Sequence, residues 1–299
     1  MMDVNVLFIL GHFQLRTHGY LLHTYPLGLK MKWRMGARGG AGENLWKTGT
    51  LPDYQHFLML YPTIIQTMVS NDKSKPKNTD NQYTWGEKNI CFRHLQENDV
   101  WWHERFGNTL KNTGEASKDD MQRMLQWKWS RGKYRPGRTR FTDYNNDDDV
   151  RSIVRQTLHV LSPLGGSIQP KEKVVNAVIL EAIKCATAMP QIGPASACGI
   201  LAARYPTYCP MYADEAMESI GMAREPYNAQ RYCDYAAQLR RKANALGITA
   251  NEVCDALFAA SKADQLGLPF QQEDKEEGKV DKEEEDKSAR PKKKRKKCN

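Results

Sequence analysis

From Asp148 to Phe270 apolar residues recur at every third or fourth position, and no stretch alternates as a half-buried strand does. That pattern restricts the chain to an all-α body. Lys171–Ala188 carries Val174, Val175, Val178, Ile179, Ala182 and Ile183 on one broad side, and Tyr227–Leu246 carries Tyr232, Tyr235, Ala236 and Leu239. Ala195–Arg204 and Glu215–Met222 read as shorter helices. Val150–Leu161 reads as another, capped by Asp147 or Asp148. Two capping boxes set further starts. Ser117 with Asp120 opens a helix that runs to Arg131-Gly132, and Thr249 with Glu252 opens one that runs through Ser261.

Composition divides the chain. Residues 1–110 are expected to be irregular or weakly ordered, residues 111–270 to form the helical domain, and residues 271–299 to be a disordered tail. The first region mixes Gly and aromatics without sustained period, apart from a candidate helix over Asp53–Met68 and a polar linker over Ser70–Thr84. Gln271–Lys287 is mostly Glu, Asp and Lys, with Val280 its one apolar side chain. It has too little to bury to offset the entropy of ordering.

The net charge of +9 favours an anionic partner. Glu273–Asn299 holds nine acidic and eleven basic residues, so most of the excess lies in the body of the chain. The tract Lys292, Lys293, Lys294, Arg295, Lys296 and Lys297 is short and uninterrupted, which reads as a nuclear-import signal bound by an import receptor. Nucleus is the expected compartment. The alternative is a solubilising tail. The seven cysteines are odd in number and include no C-x-x-C pair, which argues against a disulfide scaffold and against zinc or iron–sulfur ligation. Cys185, Cys198, Cys233 and Cys254 sit among helical apolar residues and read as core thiols. Nothing approaches 18 consecutive apolar residues, so no membrane partner is expected.

Two segments carry chemistry. The first is Met189–Glu215, MPQIGPASACGILAARYPTYCPMYADE. Ile192-Gly193-Pro194 reads as a tight turn between helices, with Gly193 free to take a positive φ and Pro194 suited to the first helical turn. Ala195, Ala197 and Gly199 allow another backbone to come close. The turn and the helix that follows can aim N–H groups at a phosphate, which makes Ile192, Gly193, Ala195 and Ser196 the expected contacts, with Gln191 beside them. The second segment is Met124–Arg140, MLQWKWSRGKYRPGRTR. From Met121 to Arg140 there are seven basic residues and no acidic ones: Arg123, Lys128, Arg131, Lys133, Arg135, Arg138 and Arg140. Interleaved aromatics can stack on bases while the charges follow a backbone, so DNA, or alternatively RNA, is the expected partner. The competing reading is a solvated basic face with Trp127 or Trp129 buried.

The first segment resembles the helix-hairpin-helix motif of the DNA glycosylase superfamily that includes endonuclease III. The phrase WKWSRGKYRP, taken with IGPASA and DEA, also resembles a eukaryotic family with a predicted glycosylase-like fold and no established activity. Together the likeness covers roughly residues 118–262. It implies an all-α, helix-hairpin-helix glycosylase-like fold. It implies a catalytic role for Asp214, which would activate water or stabilise an oxocarbenium-like sugar, with Glu215 as a second carboxylate. It also implies a monovalent cation held by main-chain carbonyls around Met189 and Ile192, and no other cofactor. The chain departs from the pattern in three places. Gln191 stands where the hairpin has Gly, Ala195 stands where bifunctional members carry a nucleophilic Lys, and the four-cysteine iron–sulfur loop is missing. The enzyme implied is therefore monofunctional. Asp214 as a plain helix cap, a noncatalytic scaffold binding nucleic acid or protein, and a small-molecule enzyme remain as alternatives. Any flipped base would need stacking groups, for which Tyr205, Tyr208, Tyr212, Trp127 and Trp129 are candidates.

Overall fold

The computed structural model describes residues 40–71, 94–132, 140–166, 170–222 and 226–268. Lys133, Arg135, Arg138 and the tract Lys292–Lys297 lie outside the described residues, as does the tail assigned to residues 271–299. Every regular element among the described residues is helical. In order they are α1 (Ala41–Thr48), α2 (Leu51–Ser70), α3 (Leu95–Trp101), a π-helical turn (Trp102–Phe106), α4 (Gly107–Thr113), α5 (Lys118–Arg131), α6 (Phe141–Tyr144), α7 (Asp147–Leu161), a 3-10 turn (Ser162–Gly165), α8 (Glu172–Ala186), α9 (Pro194–Arg204), α10 (Asp214–Ser219), α11 (Ala229–Leu246) and α12 (Ala250–Gln265). None is long and apolar enough to cross a membrane.

The caps explain most of the starts. Ser117 Oγ accepts the Asp120 N–H and Thr249 Oγ1 accepts the Glu252 N–H, completing both expected capping boxes. α7 differs from expectation: its cap is Asn146, whose Oδ1 accepts the Asp149 N–H at 2.8 Å. Asp147 instead accepts the Lys118 N–H at 2.7 Å and Arg151 Nε at 2.6 Å, which ties the first turn of α5 to α7.

α12 is the central element. Its residues Ala250–Ala260 are all buried, and α1, α2, α10 and α11 pack around it. Most of that stretch is apolar or small, and its three polar side chains, Asn251, Glu252 and Asp255, are buried with it. The packing draws no boundary at residue 110. Leu45, Tyr54, Phe57, Ile64, Trp102 and Phe106 belong to the same core as the later helices. The expectation that residues 1–110 are weakly ordered is thus corrected for residues 40–71 and 94–110. The candidate helix over Asp53–Met68 lies within α2, whereas after residue 94 the period is broken because the helices are short and joined through a π turn. That turn places Trp102 flat on Trp127, with ring centroids 4.1 Å apart.

α9 is the second hub, with α4, α5, α7, α8 and α11 against it. Small residues make this possible. A Cβ on Gly199 would lie 2.5 Å from Met124 Sδ of α5, and a Cβ on Gly107 of α4 would lie 2.5 Å from the Ala203 carbonyl oxygen of α9. Backbone cannot yield as a side chain can. Gly107→Ala is therefore expected to cost about 1–3 kcal/mol, read as a lower urea midpoint at unchanged slope.

Candidate functional site

The chain between α8 and α9 turns sharply at Thr187–Gly193. Ile192 N–H closes the turn on Met189 O at 3.1 Å, and Asn145 Nδ2 braces it by donating to Pro190 O at 3.1 Å and Phe141 O at 2.7 Å. Gly193 does not supply the positive φ. It caps α9 in an extended conformation, with φ −99° and ψ 173°. Gln191 takes the left-handed conformation instead, at φ 69°, and it alone among the described non-glycine residues does so. This is the position where the resembled hairpin carries Gly.

Because its N–H is used inside the turn, Ile192 is corrected as a phosphate contact, and the Ser196 N–H likewise donates to Gly193 O at 2.9 Å. Pro194 has no N–H, so among the described residues the Gly193 and Ala195 N–H groups are the donors left at the start of α9. Among the described residues the carbonyls of Met189 and Pro190 each accept one hydrogen bond, and a monovalent cation at the turn would have to use their other lone pairs. Among the described residues, no group of three or more His, Cys, Asp or Glu side chains is placed to hold a metal ion.

Beside this turn lies a cavity of about 120 Å³ lined by Gly193, Ala195 and Ser196 of the α9 start, Lys128, Trp129 and Arg131 of α5, Met211 and Tyr212, Asp214 and Glu215 of α10, Tyr227 and Phe258. It is smaller than a drug-sized site and holds one ring or a few waters. The fold thus gathers Lys128, Gly193, Ala195, Ser196, Asp214 and Glu215, which lie far apart in sequence, around one space. Gln191 and Ile192 are not among its lining residues. Arg140 sits on the surface, where it donates to Asp143 Oδ2 at 2.9 Å and covers the Tyr144 ring.

Asp214 is the first residue of α10 rather than its cap, a position held by Ala213, and its Oδ1 accepts the Tyr227 hydroxyl. It is half-buried. Glu215 is buried and paired with Lys262 at 2.7 Å, so its charge is already matched within the protein. Tyr212, packed edge-on against Tyr227 and Tyr232, is 2% exposed, and burial pushes its hydroxyl pKa up. Of the expected stacking groups, Tyr212 and Trp129 line the cavity. Trp127 is fully buried, and its Nε1 donates to Asp99 Oδ1 at 2.7 Å. Tyr227 and Phe258 were not foreseen; nothing in their local sequence distinguishes them from core aromatics.

Arg131 is the largest correction. It is 3% exposed, its Nη2 donates to Asp255 Oδ1 at 2.5 Å, and its guanidinium lies 4.2 Å from the centre of the Phe258 ring. It is a core cation, not a surface contact for nucleic acid. Burial raises the Asp255 pKa and the Arg131 charge opposes that rise. Asp255 Oδ2 accepts Asn251 Nδ2 at 2.8 Å, and Asn251 Oδ1 accepts the Met211 N–H at 2.9 Å, next to Tyr212. The cysteines Cys198, Cys209, Cys233 and Cys254 are free and buried, and burial pushes the Cys209 and Cys254 thiols up to about 12. They are core thiols, as expected for three of them.

Comparisons with protein-family models, with curated proteins and with solved structures return no match.

Two outcomes follow for stability. Arg131→Met or Asp255→Leu alone is expected to destabilise by about 3–5 kcal/mol, because each leaves a buried charge unmatched, while the double variant recovers most of the loss. Urea denaturation of the three variants measures both. Gln191→Gly is expected to stabilise by about 1 kcal/mol by relieving the left-handed strain, seen as a higher midpoint in the same assay.

Proposed function

We propose that this chain is a nucleic-acid-binding helical module. The start of α9 takes a backbone phosphate and the adjoining cavity takes an unstacked base. The observation that carries this reading is the shared space: Gly193 and Ala195 at a helix N-terminus, the Lys128 side chain, and the aromatics Trp129 and Tyr227 all border it. Helix start and cation favour an anion, and the aromatic walls suit a planar ring. Arg131 contributes structure only. The tract Lys292–Lys297 would serve nuclear import and add charge for the same polyanion.

A second reading, hydrolysis of an N-glycosidic bond, rests on Asp214. Its carboxylate borders the same cavity and, among the described residues, takes one bond, from Tyr227. It would orient water or stabilise a cationic sugar, with no amine at Ala195 for lyase chemistry.

Fluorescence anisotropy of the full chain on duplexes with a central mismatch or abasic site, over a salt series, tests the binding reading. Gly193→Asp keeps a good helix cap while placing a negative charge where the phosphate would sit. It and Lys128→Glu are each expected to weaken binding and to reduce the salt slope by about one. Unchanged binding in both variants would overturn the proposal. Base release that is lost in Asp214→Asn with binding retained would establish the second reading.

A further inference from the structure

One side-chain donor in the cavity is open and unused. Ser196 lines the space and is 5% exposed, and its hydroxyl has no hydrogen-bond partner among the described residues. The Tyr212 hydroxyl and Arg131 Nε are sealed from solvent, and the Ser196 hydroxyl is not. Ser196 stands in the first turn of α9, close in the chain to the Gly193 and Ala195 N–H groups that the turn leaves over. Lys128 of α5 adds a cation to the same space.

Four donors, one of them charged, thus share a cavity of about 120 Å³. That set suits a single group with several anionic oxygens. A phosphate within a strand has two free oxygens, one charge and two ester links, so its chain must leave in two directions. A phosphate at a strand end has three free oxygens, nearly two charges at neutral pH and one ester link. The cavity has room for one ring beside one such group. A second phosphate drawn into it would meet the Asp214 carboxylate, and the nearby cations Arg131 and Lys262 are already bound to Asp255 and Glu215. A terminal base also has a stacking neighbour on one side only, so it leaves its stack at lower cost. We infer that the site recognises the phosphorylated end of a nucleic-acid strand, with the terminal phosphate at the start of α9 and the terminal ring in the cavity. The inference rests on the binding reading above and adds which nucleotide is bound.

The test uses the full chain and two probes. In the first, anisotropy is read on internally labelled single strands, and on duplexes formed from them, that end in a 5′-phosphate, a 3′-phosphate or hydroxyls only. The hydroxyl-ended strands are one nucleotide longer, so that the number of phosphates matches. One phosphorylated end is expected to bind about tenfold tighter than hydroxyl ends, and the two positions distinguish which end it is. Ser196→Ala and Lys128→Met are each expected to shrink that ratio several-fold while salt-dependent binding persists. In the second probe, thermal unfolding is followed with excess nucleoside 5′-monophosphate, nucleoside 3′-monophosphate, nucleoside or inorganic phosphate. A monophosphate is expected to raise the midpoint more than inorganic phosphate or nucleoside does. Equal affinities for phosphorylated and hydroxyl ends, with binding intact, would overturn end recognition and leave the binding module standing. No binding to any strand or duplex, with no monophosphate raising the midpoint, would overturn both. A ratio unchanged in both variants, each unfolding at the parent midpoint, would overturn the assignment of the end phosphate to this cavity.

Discussion

The Arg131–Asp255 pair is the constraint on which the rest of the structure depends. It joins the end of α5 to the middle of α12, the helix that is enclosed by its neighbours. Two charges so deep in the protein are tolerable only when matched, and the carboxylate needs further hydrogen bonds for its other oxygen. Asp255 meets that demand through Asn251, which in turn holds the Met211 N–H. A chain of hydrogen bonds therefore runs from the core to the loop that presents Tyr212 and Asp214. The Phe258 ring lies against the guanidinium and also forms part of the cavity wall. The geometry of the site is thus set from below by a buried ion pair, and a change at Arg131 would disturb the cavity through position rather than through lost surface charge.

The second determinant is close helix approach around α9. Gly199 and Gly107 let α5 and α4 lie against it, so Lys128 and Trp129 near the end of α5 come beside the start of α9. α10 is held from the other side by α1 and α12 and fixed by the Glu215–Lys262 pair, with Asp214 at its first residue. Three elements distant in sequence thereby enclose a space small enough for a single ring. A cation, a helix start and the Asp214 carboxylate give it both donor and acceptor character. That mixture is why the binding reading and the hydrolytic reading share residues and differ only in what Asp214 does.

Much of this was legible in the sequence because it is local. Helix periods and caps depend on residues three or four apart, so Ser117 and Thr249 were found at their caps. Close approach at Gly199 was expected from its size, but what lies against it is the Met124 side chain and not another backbone. Arg131 was misread. It shares a stripe with Met124 and Trp127, all three buried, and the basic run around it masked that spacing. The left-handed residue was misplaced by two positions. Gly193 looked the obvious choice, yet the bracing of Pro190 by Asn145 and the Ile192–Met189 bond put the strain on Gln191. The Asn145 brace reaches across 45 positions, so it could not be read from the residues around the turn. The candidate helix over Asp53–Met68 was legible from its period and lies within α2, whereas between residues 94 and 113 short helices and a π turn erase a period that longer helices display.

By itself the sequence determined an all-α body, the starts of its capped helices, the turn before α9 and the carboxylate that follows it, since each depends on the preferences of a few neighbouring residues. Tertiary structure alone decided which charges are buried and matched, which aromatics line the cavity and which serve the core. It also decided that helices from residue 41 onward complete the same body. Those outcomes depend on contacts between residues a hundred or more positions apart, as Arg131 and Asp255 are. A side chain's burial is set by what packs against it and not by its neighbours in the chain.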